Sequence, residues 1–424
     1  MNLFDDLQSR GLIYDFTEGA KEKVTSEKVT AYIGFDPTAA SLHVGSLLPI
    51  MCLARLQRYG HTPIAIVGGG TGLIGDPSGK AKERLLLTKE LVEENLQGIK
   101  KQLELFLDFE SATNPAQIIN NADWLASISM IDFMRDVGKH FTVNSMLDKE
   151  SVKRRLEKEE GISFTEFSYS LLQAYDFLVL NEKSNCTLQM GGSDQWGNII
   201  AGIDLIRRVK QTKAYGIVFP LVTTSTGVKF GKTEAGAVWL DGKLTSPYRF
   251  YQFWLNTTDA DTITYLKYFT WLSIEEINEL AAAMQAAPEK REAQKRLASE
   301  LTRTLHGEAE LANAIKASEA LFGGDISDLR AEAVLDIFND VPSSEIQRND
   351  FAGEGIGIVD LFAQSKLVPS KGEARRLVES GGAYLNNHRL TDVKKRVSSS
   401  DFIDNQFLVL RKGQKQYHLI KVIG

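Results

Sequence analysis

The stretch Thr30-Ala31-Tyr32-Ile33-Gly34-Phe35-Asp36-Pro37-Thr38, with Leu42-His43-Val44-Gly45 close behind it, decides how this chain is read. The first six residues are apolar, aromatic or β-branched and predict a strand, and Asp36-Pro37-Thr38 predicts the loop that ends it. From Val44 the pattern is helical to about Tyr59, with Gly60 as the stop. Residues 63–67 predict a second strand that runs into Gly68-Gly69-Gly70. Residues 186–190 predict another, feeding Gly191-Gly192-Ser193-Asp194, where Ser193 or Asp194 is placed to cap a helix reaching about Val209. Strands alternating with helices imply parallel βαβ units, hence a Rossmann-like, doubly wound α/β domain whose ligands bind at the carboxyl ends of its strands.

Outward from this core the pattern changes. From about residue 247 it is helical: Ser273-Ile274-Glu275-Glu276 has the form of a capping box, with Leu272 and Ile277 placed as a hydrophobic staple. Pro288 opens a further helix, Leu297, Leu301 and Leu305 recur every fourth residue, and Gly307 closes it. Pro342, Ser343, Ser344, Gly353, Gly355 and Gly357 predict a linker near 340–356, followed by a small α+β module.

At 424 residues, 43% hydrophobic and 25% charged, the chain has material for two or three globular domains. Met1-Asn2-Leu3-Phe4-Asp5-Asp6 has no basic region leading into an apolar run, and no run of about 18 apolar residues follows, so neither a secretory signal nor a membrane span is expected. Two cysteines, Cys52 and Cys186, cannot supply a disulfide framework or a four-cysteine zinc site; a reduced, cytoplasmic setting is expected, with no zinc and no protein metal site. The net charge of −6 is uneven: residues 351–424 hold twelve Lys and Arg against seven Asp and Glu. A basic tail on an acidic body points to a polyanionic partner, or to ordinary variation in a small domain.

Two nucleotide motifs fail on inspection. Gly70-Thr71-Gly72-Leu73-Ile74-Gly75 has the dinucleotide form, but Asp76-Pro77 puts a carboxylate and a helix breaker where the pyrophosphate and helix belong. Gly227-Val228-Lys229-Phe230-Gly231-Lys232-Thr233 has three residues between its glycines where a P-loop needs four. Thr38, His43 and the N–H groups near Gly45 form a corner that favours phosphate, or one in which His43 simply caps the helix. Lys229 and Lys232 flank a flexible Phe-Gly pair suited to a polyphosphate, or to a solvated turn. Lys80 and Arg84 add candidate phosphate clamps. Tyr169, Gln173 and Asp176 share one helix face and make either a polar stripe or the wall of a ligand pocket that Tyr32 and Asp76 also face.

Together these segments resemble the bacterial tyrosyl-tRNA synthetases, class I aminoacyl-tRNA synthetases. The likeness runs through Tyr32-Ile33-Gly34-Phe35-Asp36-Pro37-Thr38, Gly72-Leu73-Ile74-Gly75-Asp76-Pro77-Ser78-Gly79-Lys80, the Tyr169/Gln173/Asp176 helix, Gly191-Gly192-Ser193-Asp194-Gln195-Trp196-Gly197-Asn198 and Lys229-Phe230-Gly231-Lys232-Thr233. Val368-Pro369-Ser370-Lys371 and Ala383-Tyr384-Leu385-Asn386-Asn387 carry a likeness to an RNA-binding module shared with a ribosomal protein. The resemblance implies activation of L-tyrosine by ATP, accompanied by Mg²⁺, and transfer to tRNA(Tyr). Thr38, His43, Lys229, Lys232, Thr233, Lys80 and Arg84 would serve the phosphates; Gly34, Asp36, Gly45, Ser46, Gly192, Asp194, Val222 and Lys232 would bind ATP. Tyr32 and Asp176 would hold the phenolic hydroxyl, and Asp76, Tyr169 and Gln173 the ammonium group, supported by Gln195 and Asn121. Without that hydroxyl, as in phenylalanine, Tyr32 and Asp176 would lose a partner.

The implied domains are a catalytic domain at 1–245 (with a dimer-forming insertion at about 120–160 and a lysine loop at 225–235), a helical tRNA anticodon-side domain at 246–345, and a basic RNA-binding module at 346–424. That module would contact RNA through Lys371, Arg375, Arg376, Lys394, Lys395 and Arg396. A homodimer is implied. Ser46 stands where many members have a second signature histidine, and Ile33 where cysteine is frequent; the Ser46 hydroxyl still offers a hydrogen bond to the ATP ribose. A non-catalytic RNA-binding relative could dispense with His43, Lys229 and Lys232, all present here; a nucleotide-dependent oxidoreductase would need the helix that Pro77 disfavours.

Overall fold

Alternation of strand and helix produces the parallel sheet it predicts. Strands β1 (Asp15–Phe16), β2 (Thr30–Phe35), β3 (Thr62–Val67), β4 (Gln117–Asn120), β5 (Cys186–Gly192) and β6 (Tyr215–Phe219) form one sheet in the order β1-β6-β5-β2-β3-β4. All neighbours are parallel except β1, which runs antiparallel along the β6 edge. β3 is buried almost throughout, as a strand covered on both faces must be. The connections from β2 and β5 leave in opposite directions, which opens a crevice between their carboxyl ends. This is a computed structural model, and it describes residues 2–78, 88–157, 161–225, 230–233, 236–320, 324–338, 341–413 and 416–424.

Two helix starts differ from expectation. A 3-10 turn spans Val44–Ser46, and the α-helix is Leu47–Arg58; Gly60 (φ 89°) ends it as expected. Ser193 and Asp194 do not cap the helix after β5. They lie in a 3-10 turn, Ser193–Gln195, and the helix Trp196–Lys210 begins without a side-chain cap, because the turn places both side chains ahead of its first free N–H groups. This helix packs along Phe164–Ser184, where Gly202 allows the approach: a Cβ there would lie 2.9 Å from the Phe177 ring. Beneath both, Tyr32, Ile64, Ile66, Ala174, Phe177 and Leu205 belong to one buried cluster.

Contacts divide the chain into two units: Met1–Asp241 with Thr258–Ala293, and Gly242–Thr257 with Gln294–Gly424. In the first, the capping box at Ser273 and Glu276 forms as predicted, with Leu272 and Ile277 both buried. Asp6 accepts from Arg10 Nε at 2.9 Å and from Arg55 Nη1 at 3.1 Å. Arg55 and Arg10 also donate to the carbonyls of Thr270 and Leu272, at 2.5 and 2.9 Å. This buried cluster ties helices Leu3–Ser9 and Leu47–Arg58 to the end of helix Asp259–Phe269.

In the second unit the helical run Glu292–Ala320 breaks at Gly307 (φ 83°) and resumes, so the predicted stop is a kink between two helices. A five-stranded sheet follows. Asn386 and Asn387, at φ 48° and 65°, make the two-residue turn between Ala383–Leu385 and His388–Arg389. Part of the predicted linker is a strand: Ser343–Gln347 pairs in parallel with residues 419–423. Its polar, alternating surface concealed it. Ile346 packs on the module's core, while the neighbouring Glu345 and Gln347 are exposed.

Candidate active site

The crevice holds a cleft of about 320 Å³ lined by Tyr32, Gly34, Asp36, Ser46, Asp76, Asn121, Tyr169, Gln173, Asp176, Gly192, Asp194 and Gln195, among others. All seven residues expected around tyrosine therefore meet in one cavity, although they come from β2, the loop after β3, the residue after β4, one helix and the 3-10 turn after β5.

At its closed end Tyr32 and Asp176 are 2% and 3% exposed. The Tyr32 hydroxyl is buried without a hydrogen-bond partner. Asp176 accepts from Asn121 Nδ2 at 2.9 Å and from Trp124 Nε1 at 2.7 Å. Burial raises its carboxyl to about 7, and the two donors oppose the rise. Burial, reinforced by Asp176, pushes the Tyr32 phenol well above its ordinary range. Tyr32 is thus a neutral hydroxyl with an unmet hydrogen bond beside an acceptor. Asn121 was expected near the ammonium group; the structure places it on Asp176, with its amide also donating to Thr71 and accepting from Gly70 N–H.

A second polar network stands apart from this pair. Asp76 accepts from Gln195 Nε2 at 2.8 Å and from Ser78 N–H at 2.9 Å. Gln195 accepts from Gln173 at 3.2 Å, and Asn198 donates to Gln173 at 3.1 Å. The result is an anionic, hydrogen-bonded wall suited to a substrate ammonium group.

The corner around Thr38 and His43 is built differently. His43 Nδ1 accepts from Gly45 N–H at 3.0 Å, so the capping reading of His43 holds, and in the neutral ring Nε2 carries the proton. A Cβ on Gly45 would lie 2.7 Å from His43 Cε1, so a side chain there requires the exposed imidazole to shift. Thr38 and His43 are exposed. The backbone of residues 238–240 runs beside this corner, with Val44 N–H donating to Val238 O at 2.9 Å and Val238 N–H to Gly231 O at 3.0 Å. Gly231 packs so closely that a Cβ would lie 2.8 Å from Val44 Cγ2. The C-terminal root of the lysine loop therefore abuts the His-Val-Gly segment. Lys232 and Thr233 form a short strand paired with Gly236–Ala237. Lys80, Arg84 and Lys229 lie outside the described residues. Val222 follows Leu221, which packs against Gly192. Thr38, His43, Gly45 and Val222 are not among the residues lining the cleft.

In the other unit Lys371, Arg375 and Arg376 lie on helix Lys371–Glu379, Lys394 and Lys395 precede the short strand Arg396–Val397, and Arg396 opens it. Lys371 pairs with Asp360 at 2.7 Å and Lys395 with Asp401 at 3.0 Å; Arg396 Nε donates to Glu354 O at 3.1 Å.

Comparison with known proteins places this geometry. Residues 24–323 match the family described as tRNA synthetases class I (W and Y), and residues 333–420 match a tyrosine--tRNA ligase SYY-like C-terminal domain. The chain is 58% identical to a tyrosine--tRNA ligase of Roseiflexus castenholzii over 421 residues and 54% identical to tyrosine--tRNA ligase 1 of Bacillus subtilis over 423, covering 99% of each chain in both cases.

The chain belongs to the tyrosine--tRNA ligase family.

A truncated mitochondrial tyrosyl-tRNA synthetase of Aspergillus nidulans superposes on it with a TM-score of 0.67 at 32% identity, over 74% of this chain and 92% of that one. A tyrosyl-tRNA synthetase from Archaeoglobus fulgidus, solved with L-tyrosine, shares the fold at a TM-score of 0.55 and 16% identity, over 73% of this chain and all of that one. Within this family member, Trp124, Asn198 and Gln189 were missed from sequence. Asn198 lay inside a quoted motif without a role. Gln189 could have been found by register, since it sits opposite Tyr32 on β5 and its amide oxygen is buried without a partner. Trp124 gave no signal, because only the fold brings its indole to Asp176.

Proposed function

We propose that this chain is a ligase that activates L-tyrosine with ATP and then esterifies tRNA(Tyr). The observation that carries it is the unpartnered Tyr32 hydroxyl beside Asp176, at the bottom of a cleft whose wall is the Asp76–Gln195–Gln173 network. A phenolic hydroxyl placed there donates to Asp176 and accepts from Tyr32. The ammonium group meets Asp76, Tyr169 and Gln173. The carboxylate then attacks the α-phosphorus of ATP and pyrophosphate leaves; a hydroxyl of the terminal ribose of the tRNA next attacks the acyl carbon of the tyrosyl adenylate, and AMP leaves.

No protein nucleophile is required, so the enzyme contributes position and charge stabilisation. Thr38 and His43 contact the γ-phosphate; Lys80, Arg84, Lys229, Lys232 and Thr233 gather the pyrophosphate. Gly34, Asp36, Gly45, Ser46, Gly192, Asp194 and Val222 hold the rest of ATP. Mg²⁺ enters with ATP as part of the substrate, held by phosphate oxygens and water.

In this reading the chain divides into a catalytic domain at 1–245, a helical domain at 246–345 and a basic module at 346–424, with the strand at Ser343–Gln347 going with the last; the family matches, at 24–323 and 333–420, separate only the C-terminal part. In that module Lys371, Arg375, Arg376, Lys394, Lys395 and Arg396 contact the tRNA backbone. The homodimer is supported by apolar side chains left exposed in the segment 130–164: Met130, Ile131, Val143 and Phe164 are 71%, 74%, 62% and 68% exposed. No helix among the described residues is long and apolar enough to cross a membrane. A reaction on tRNA, with both cysteines free, suits the cytoplasm. The deciding experiment is tyrosine-dependent exchange of pyrophosphate into ATP; no exchange, or equal exchange with phenylalanine, rejects the proposal.

A further inference from the structure

We propose that helix Asp259–Phe269 and its cap Thr258 clamp both ends of the lysine loop, and that Asp261 is a positioning residue for the activation step; this rests on the reading of the loop given above. On the N-terminal side Asp261 accepts from Ser225 N–H at 3.0 and 3.2 Å and from the Ser225 hydroxyl at 3.0 Å. Thr258 steadies the same carboxylate at 2.9 Å. One turn further along, the Tyr265 hydroxyl donates to Thr223 O at 3.2 Å. On the C-terminal side Phe230, 6% exposed, packs on Tyr265 and Phe269 with ring centroids 5.1 and 5.7 Å away.

Residues 223, 225 and 230 are thus fixed to one helix, and Gly231 is fixed against Val44. The helix has its own anchor, since Arg55 and Arg10 donate to the carbonyls of Thr270, Lys267 and Leu272. Thr223, Ser225 and Phe230, held in this way, are already ordered, so less conformational entropy is lost when they are recruited to the activation step. Asp261 lies outside the residues that line the cleft. It acts on Lys229 and Lys232 only through the chain, by holding Ser225. Because the lysines serve charge that develops on the departing pyrophosphate, loosening the clamp costs transition-state stabilisation and leaves tyrosine binding alone.

The test uses the full chain with Asp261→Ala, Asp261→Asn and Ser225→Ala, in pyrophosphate exchange and equilibrium tyrosine binding. Asp261→Ala lowers kcat for activation about ten-fold, the scale of a lost hydrogen bond to a charged group, with tyrosine Kd and Tm unchanged. Asp261→Asn, which keeps an acceptor for Ser225 N–H, recovers part of the rate. Adding Ser225→Ala to Asp261→Ala costs less than Ser225→Ala alone. An unchanged kcat in Asp261→Ala, or a parallel loss of tyrosine affinity, overturns the clamp. Absence of exchange in the unaltered protein overturns the reading of the loop instead.

Discussion

In the proposed reading Tyr32 and Asp176 set the terms for substrate choice: both are buried, and the Tyr32 hydroxyl is without a hydrogen-bond partner. Tyr32→Phe removes one donor from the closed end of the cleft. Tyrosine activation is expected to lose about ten-fold in kcat/KM, with a smaller loss for phenylalanine. Asp176 adds a pH dependence. A substrate hydroxyl donates to its ionised form, whose carboxyl titrates at about 7, so tyrosine affinity rises as pH climbs through 7. Phenylalanine affinity stays flat over that range; matching profiles for the two amino acids, followed by calorimetry, would dismiss Asp176 as the hydroxyl's acceptor. Stability moves the other way. The folded value lies above that of an unfolded aspartate, about 3.9, so the carboxyl favours the folded state at low pH. That contribution is lost as pH rises from about 4 through 7, and Asp176→Asn removes the slope from urea midpoints. Much of this pair was legible in the sequence: spacings of four and three put Tyr169, Gln173 and Asp176 on one face. Trp124 and the true place of Asn121 were not, since they reach Asp176 from the short helix Ala122–Leu125 and its N-terminal cap, more than fifty positions away in sequence.

Elements were legible where their period was long and hidden where it was short. β2, β3 and β5 declared themselves by apolar runs. β1, two residues long, has no period to detect, and Ser343–Gln347 alternates polar residues with only Ile346 committed to a core. The phosphate corner shows how an element start is fixed by a single atom's room. Gly45→Ala drives a methyl group into the His43 ring, so the activation rate is expected to fall about a hundred-fold with little change in Tm. An unchanged kcat would mean that the ring moves aside without consequence for the reaction. The Asp6 cluster predicts the reverse phenotype. Asp6→Ala strands two buried guanidinium groups, and unfolding free energy should drop by about 3–5 kcal/mol in urea titrations, while KM for tyrosine holds.

At the scale of the molecule, the basic residues at 394–396 and the exposed apolar side chains near 131 belong to different units. Neutralising Lys394, Lys395 and Arg396 together should weaken tRNA binding and flatten its salt dependence by about one unit of slope per lost phosphate contact. Pyrophosphate exchange, which needs no tRNA, should be untouched; a fall in exchange would assign these residues to another role. Ile131→Glu puts a charge on the exposed apolar segment and should shift the sedimenting species to the monomer. The C-terminal sheet carries one more consequence, in time. Residues 419–423 are an interior strand, flanked by Ser343–Gln347 on one side and Phe407–Lys412 on the other. Synthesis at about 5–20 residues per second separates the partner strands by roughly 4 to 15 s. Through that interval Ile346 has no sheet to join, and the module closes only when Ile423 has left the ribosome. Translation therefore leaves the strand Ser343–Gln347 waiting for its partner until the last strand of the sheet has emerged.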